Sequence, residues 1–283
     1  LLILSGFALW LALFPVHTWV PMVTKESHPW PVSFLLVLMQ SSLTIFFLYF
    51  LEEYSWLRNL PQLWDILRWS GIILIVIASL LLSFQTQIRR VLAYFYLWEM
   101  GYALLSIGLA QQGGMSYLQI IFIPRILGYA GLSYNIAKLE QLETDFDGHI
   151  DQLSGLFHRY PIICITLITS LLSLTGMPIL ASFPAKRNII NLLPWSGYGM
   201  ETWLSLGFLG ILMFTFTLIH KLISPPKTEK TIPLLIVTGE DIKSIIFNTI
   251  LIFLFLLAGT FPSLFTQVFK DILAPFSNIF LLN

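Results

Sequence analysis

Apolar runs of about 20 residues recur along the whole chain, and a run of that length is what an α-helix needs to cross the hydrocarbon core of a bilayer. Eight segments qualify, roughly Leu1–Val20, Pro31–Leu51, Ile66–Phe84, Val91–Ala110, Tyr117–Ala137, Pro161–Phe183, Trp203–Ile219 and Ile245–Phe265. Charge usage agrees. Only 11% of the residues are charged and 57% are hydrophobic, with 15 cations balancing 15 acids. Soluble domains carry about 25% charged residues, so this chain cannot cover a water-facing surface of its size. A soluble enzyme, a basic nucleic-acid binder and a disordered chain are all excluded. The expected fold is an all-α polytopic membrane protein of about eight transmembrane helices, a single transmembrane domain over residues 1–283.

The lone cysteine, Cys164, sits inside an apolar run. It makes no internal disulfide, Cys-ligated zinc site or iron–sulfur cluster, and reads as a small buried hydrophobe. The start at Leu1, already apolar and without a basic region, does not resemble a signal peptide; an upstream part is expected. A polar turn from Gln85 to Arg90 joins spans three and four, and Gly113-Gly114 separates spans four and five. The tail after Gln267 alternates apolar and polar residues and suits the membrane interface.

With eight spans the loops alternate between two sides. One side receives nine cations: Lys25, Arg89, Arg90, Lys138, Arg159, Lys221, Lys227, Lys230 and Lys243. The other receives five: Arg58, Arg68, Lys186, Arg187 and Lys270. The positive-inside rule makes the first side cytoplasmic or its organellar equivalent.

Two spans carry prolines that should break them. Span six reads Leu171-Leu172-Ser173-Leu174-Thr175-Gly176-Met177-Pro178, followed by Pro184 and Lys186; span one contains Phe14-Pro15-Val16-His17. Proline removes a donor and clashes with the preceding turn. In hydrocarbon the freed carbonyl needs another partner, so a broken helix is expected to be buried in protein or to line a wet cavity. A plain kink near a helix end is the bland alternative.

An ionisable group inside a span costs about 2.5–3.5 kcal/mol on insertion scales, which makes each one a functional candidate with an expected partner. Glu99 lies mid-span in Trp98-Glu99-Met100-Gly101 and suits a proton path; a structural hydrogen bond to a neighbouring helix is the alternative. Arg125, after Pro124, stays charged and cannot shuttle protons. Glu99 is the acid in a neighbouring span, so a Glu99–Arg125 ion pair is expected, and it would favour a structural role. Lys186 follows the break in span six; it either serves a buried site or snorkels to the interface beside Arg187. His17 is a proton-relay candidate, or a locally bonded imidazole. The five acids and one histidine between Glu140 and Asp151 lack the spacing of a calcium loop and read as a solvated loop. No metal-binding motif, phosphate loop or nucleophile elbow is present.

Three ordered stretches carry a resemblance. Phe14-Pro15-Val16-His17-Thr18-Trp19-Val20-Pro21, followed by His28 and Pro31-Val32-Ser33, is similar to the PFHxWxP…PxPVS stretch of antiporter-like complex I subunits. The segment from Gln85 through Arg89-Arg90 to Tyr94, with Met100-Gly101-Tyr102, resembles QTNIKRLLAYSSISHMGY. Leu172–Pro178 with Phe183 and Lys186 resembles LSLAGIPPTAGFxGK. The family is the proton-translocating membrane subunits of NADH:quinone oxidoreductase, shared with Mrp-type cation/proton antiporters, and the match looks most like its N-type subunit.

The resemblance implies a fold of about fourteen spans in two inverted repeats, with the eight spans here matching the seventh to fourteenth and the N-terminal half of the family fold absent. It implies a membrane-arm subunit of a complex I-like NAD(P)H or ferredoxin:quinone oxidoreductase, contributing to proton translocation without catalysis of its own. The chain would hold no cofactor. Partner subunits would carry flavin or iron–sulfur clusters, quinone would bind elsewhere in the complex, and other membrane-arm subunits and lipids would be the partners. The membrane would be a bacterial cytoplasmic, thylakoid or organellar inner membrane. Lys186 matches the lysine after the break in the family's twelfth helix, which the resemblance implies is a proton carrier at the exit half-channel. The family's lysines of the seventh and eighth helices fall on Trp10 and Ser41, the latter next to Gln40, and its tenth-helix histidine falls on Glu99. Those departures leave two alternatives open: a degenerate paralogue with a structural or assembly role, and a subunit of a Mrp-type Na⁺/H⁺ antiporter, which sodium-dependent transport without a redox substrate would reveal.

Overall fold

The structure, a computed structural model, describes residues 2–143, 146–193, 199–225 and 240–264. The helices in chain order are α1 (Leu2–Trp10), α2 (Trp19–Glu26), α3 (Pro29–Glu53), α4 (Ser55–Arg58), α5 (Pro61–Ser83), α6 (Ile88–Gly108), α7 (Met115–Leu142), α8 (Leu156–Arg159), α9 (Pro161–Thr175), α10 (Phe183–Asn191), α11 (Met200–Ile223) and α12 (Ile242–Thr260). Among the described residues, six are long and apolar enough to cross a membrane: α3, α5, α6, α7, α11 and α12. The remaining two expected spans are interrupted. Span one becomes α1, a turn and α2; span six becomes α9 and α10. Proline opens α3, α5 and α9, where its missing N–H costs nothing and its fixed φ favours the first turn.

α6 is the hub: every residue from Val91 to Gly108 is buried. α5, α7 and the N-terminal helices wrap it, α11 packs on α5, and α12 packs on α9. The α5–α6 contact depends on two glycines. A Cβ on Gly71 would lie 2.6 Å from the Gly101 carbonyl oxygen and 2.9 Å from the Leu105 amide nitrogen, both backbone atoms that cannot rotate aside. Gly71→Ala is therefore expected to lower stability by about 1–3 kcal/mol through overpacking. Gly6, whose Cβ would meet nothing within 4 Å, is the control position, and thermal unfolding of the two alanine variants is the comparison.

Ion pairs gather one end of the bundle. Arg89 grips Glu140 through two bonds of 2.6 and 3.0 Å, Lys138 reaches Asp241 at 2.9 Å, Arg159 reaches Glu143 at 2.9 Å, and Lys221 pairs with Asp151. Arg89 also donates to the Lys25 carbonyl. These pairs are half-exposed and contribute little energy each. They do place Lys25, Arg89, Lys138, Arg159 and Lys221 at one end, as the alternating loops require. They also add to the solvated-loop expectation for Glu140 to Asp151: Glu140 and Asp151 pair with Arg89 and Lys221 from other loops, and Glu143 pairs with Arg159 farther along the same connection. α7 outruns its apolar segment by five residues for the same reason, carrying Lys138 and Glu140 to partners at that end. Lys227, Lys230, Lys270 and the tail after Gln267 lie outside the described residues.

Candidate functional site

Covalent chemistry fixes the break in span six. In an uninterrupted helix the Leu174 carbonyl would accept from the N–H of residue 178, but that residue is Pro178 and has none. The chain turns at Gly176, which takes φ +92° as the cap of α9. It restarts at Ser182, with Pro184 in the first turn of α10. That short restart puts Lys186 one turn into α10 and aims its side chain back at the end of α9. Its Nζ donates to the orphaned Leu174 carbonyl and to Glu99 Oε1.

Lys186 is 2% exposed and Glu99 and Arg125 are both fully buried. The snorkelling alternative for Lys186 is thereby excluded; only its neighbour Arg187 is exposed, lying over the Phe183 ring. Arg125 Nε stands 3.6 Å from Glu99 Oε2, a looser contact than the one Lys186 makes with Oε1. Two cations thus share one carboxylate at mid-bundle. The rings of Tyr102 and Trp98 lie 4.8 and 5.6 Å from Lys186 Nζ and give the amine further electrostatic support.

The polar surroundings exceed what the ion cluster uses. Tyr96 Oη, Tyr129 Oη and the two terminal nitrogens of Arg125 are buried without a protein hydrogen-bond partner. Each such orphan costs about 1–3 kcal/mol unless water satisfies it. Tyr96 precedes Glu99 by three residues and Tyr129 follows Arg125 by four, so both hydroxyls share their ion's helix face. Sequence reasoning passed over these tyrosines and the Leu174 carbonyl. The tyrosines were visible as polar residues at helical spacing from a buried charge; the carbonyl required only counting back four residues from Pro178.

The other candidates lie elsewhere. His17 sits in a turn between α1 and α2, 6% exposed against Phe14, and its Nδ1 has no protein partner. Among the described residues no hydrogen bond or ion pair joins it to Glu99 or Lys186. Pro15 lies in that first break, where Ala12 takes φ +53°. Trp10 is 55% exposed on the outer surface. Ser41 donates to the Val37 carbonyl of its own helix, and Gln40 is buried with both amide atoms unpartnered.

A bundle of membrane-crossing helices, two of them discontinuous, with an amine and a carboxylate meeting at a break, defines an integral membrane protein of the kind that holds ionisable groups at mid-membrane depth. The family is specified by the sequence itself. Residues 1–213 match the family described as NADH:quinone oxidoreductase/Mrp antiporter, TM, and the chain belongs to it. A curated relative, NADH-quinone oxidoreductase subunit N of Moorella thermoacetica, is 27% identical over 277 residues, covering 94% of this chain and 54% of the relative. The chain thus spans about half the length of that relative. Among solved structures, a chain of respiratory complex I from Thermus thermophilus aligns with a TM-score of 0.71 at 20% identity, covering 97% of this chain and 57% of that one. A chain of the Mrp complex from Dietzia sp. aligns at 0.72 with 17% identity, covering 100% of this chain and 60% of that one. These structural likenesses confirm the antiporter-like fold expected from the three motifs.

Proposed function

We propose that this chain is a membrane-arm subunit of a complex I-like quinone oxidoreductase and that protons cross it by way of Lys186 and Glu99. The observation that carries the proposal is the buried Lys186–Glu99 contact at a proline-made helix break. An amine and a carboxylate on different helices exchange protons over one hydrogen bond, and the break lets one of them swing without unwinding a full span. Arg125, permanently charged, supplies a fixed field and carries no proton. Electron transfer, flavin or iron–sulfur clusters and quinone belong to partner subunits, and neighbouring membrane-arm subunits cover parts of the apolar surface.

The test is the proton-to-electron ratio of the assembled complex in sealed vesicles. Lys186→Ala is expected to lower the ratio while electron transfer persists. An unchanged ratio supports the second reading, a chain that keeps the fold and holds its neighbours in place. One observation favours that second reading: the positions where the resemblance implies central lysines hold Trp10, facing outward, and Ser41, bonded to its own helix.

A further inference from the structure

A second row of buried polar atoms runs between α7, α9 and α12, apart from the Glu99 cluster. It begins at the ion-paired end with Glu240. Glu240 Oε1 accepts from the amides of Ile162 at 2.9 Å and Ile163 at 3.2 Å, two of the donors left free at the start of α9. Its Oε2 is buried and has no protein partner. Thr166 and Ser170 follow Ile162 along α9 at four-residue intervals and so share its face. Their hydroxyls donate to the carbonyls of Ile162 and Thr166, at 2.8 and 2.7 Å.

Asn135 of α7 and Asn248 of α12 stand at the level of Thr166. Neighbouring contacts fix that register. The Tyr134 and Phe247 rings pack 4.4 Å apart, and one turn higher a Cβ on Gly131 would strike both Ser170 Oγ and Leu251 Cδ2. Both asparagines are fully buried. Each donates within its own helix, to the Gly131 carbonyl at 2.8 Å and to Ser244 Oγ at 3.4 Å, and each leaves its Oδ1 unpartnered. Nearer the break, Ser173 Oγ, one residue before Leu174, and Ser182 Oγ, at the start of α10, are also unpartnered. From Glu240 to Leu174 the row covers twelve residues of α9, about 18 Å.

Apolar side chains would seal such a seam at lower cost. Buried polar groups in a membrane bundle are expensive, and this row leaves five oxygens without a protein hydrogen-bond partner: the two asparagine Oδ1, Glu240 Oε2 and the Ser173 and Ser182 hydroxyls. We propose that the seam is a hydrated passage that carries protons between Glu240 at the loop end and Lys186 at the helix break. Once Lys186 has passed its own proton to Glu99, Glu240 takes a proton from bulk water, the water between the asparagines relays it, the neutral Lys186 amine receives it, and Glu240 is left again as a carboxylate. Burial pushes the Glu240 carboxyl above its usual value, against the pull of the Ile163 and Ile162 amides, which suits a group that loads protons at a mouth. Glu240 and Asn248 both lie beyond the residues matched by the family model.

The proposal rests on Lys186 as a carrier, and the test separates the two. In the assembled complex, Asn248→Leu and Glu240→Gln are expected to lower the proton-to-electron ratio at least twofold, with Asn248→Ser near the parent value. If Lys186→Ala lowers the ratio and both seam variants leave it unchanged, the passage is overturned and the role of Lys186 stands. If Lys186→Ala changes nothing, the proton role of both falls. Water access is read independently of transport, and of any folding defect in the leucine variant. In a Cys164→Ala background, silver ions added to intact vesicles are expected to block Asn248→Cys and to leave Ile250→Cys, on the lipid-facing side of α12, untouched. An Asn248→Cys thiol as inert as that at 250 would overturn the passage.

Discussion

Glu99→Gln is expected to be the most damaging single substitution in the ion cluster, lowering stability by about 3–5 kcal/mol, the cost typical of stripping a buried pair of one partner. The reason is the count of charges. Among the described residues, Glu99 is the one acid paired with the two buried cations, Lys186 and Arg125. Removing it leaves two positive groups in a low-dielectric interior with no counter-charge. Lys186→Met and Arg125→Met each leave one cation facing one carboxylate, so both should unfold at higher temperature than Glu99→Gln. Thermal unfolding of the purified assembly gives the order directly. A Glu99→Gln assembly as stable as the parent would contradict a charged cluster at this depth.

Gly259→Val should couple stability to transport at a distance from any ionisable group. A Cβ at Gly259 would fall on the Ile179 carbonyl oxygen and within 2.7 Å of the Ile179 and Leu180 carbonyl carbons. That contact seats α12 on the loop that joins α9 to α10, with Ala181, Leu251, Phe255 and Ala258 packed around it. Ile179 in that loop takes φ +73°, a left-handed conformation costly for a β-branched residue and kept only because surrounding structure imposes it. The backbone on both sides cannot turn away, so a valine has to push α12 off the loop. The expected result is a loss of about 1–3 kcal/mol in stability together with a fall in the proton-to-electron ratio as large as that of Lys186→Ala. A variant that loses stability while pumping normally would show that Lys186 keeps its place without α12.

Much of this arrangement was legible along the chain. Six of the eight expected spans form continuous helices, and the two expected to break at proline do break, whereas α7 runs on through Pro124. Glu99, Arg125 and Lys186 stood out because a charge in lipid is expensive wherever its partner lies. The pairing was less legible. Scarcity of acids pointed to Glu99 with Arg125, yet the tighter contact is with Lys186, 87 residues from Glu99 along the chain. The loop from Glu140 to Asp151 showed no partners because Arg89 and Lys221 sit in other loops and Arg159 lies 16 residues from Glu143 in its own. Asn135 and Asn248 drew no notice, since a single amide in an apolar run means little until another helix brings a second one level with it.

The apolar runs, the prolines able to interrupt them and the identity of the costly groups were set by the sequence alone, because transfer into lipid and the missing N–H of proline are properties of each residue and its immediate neighbours; that α7 runs on through Pro124 while α9 stops before Pro178 was not. Which charge meets which, and whether orphaned amides and hydroxyls scatter or line up, was decided only when α6, α7, α9, α10 and α12 packed. Those contacts join residues far apart in the chain, and their energies depend on distance and burial that no local pattern encodes.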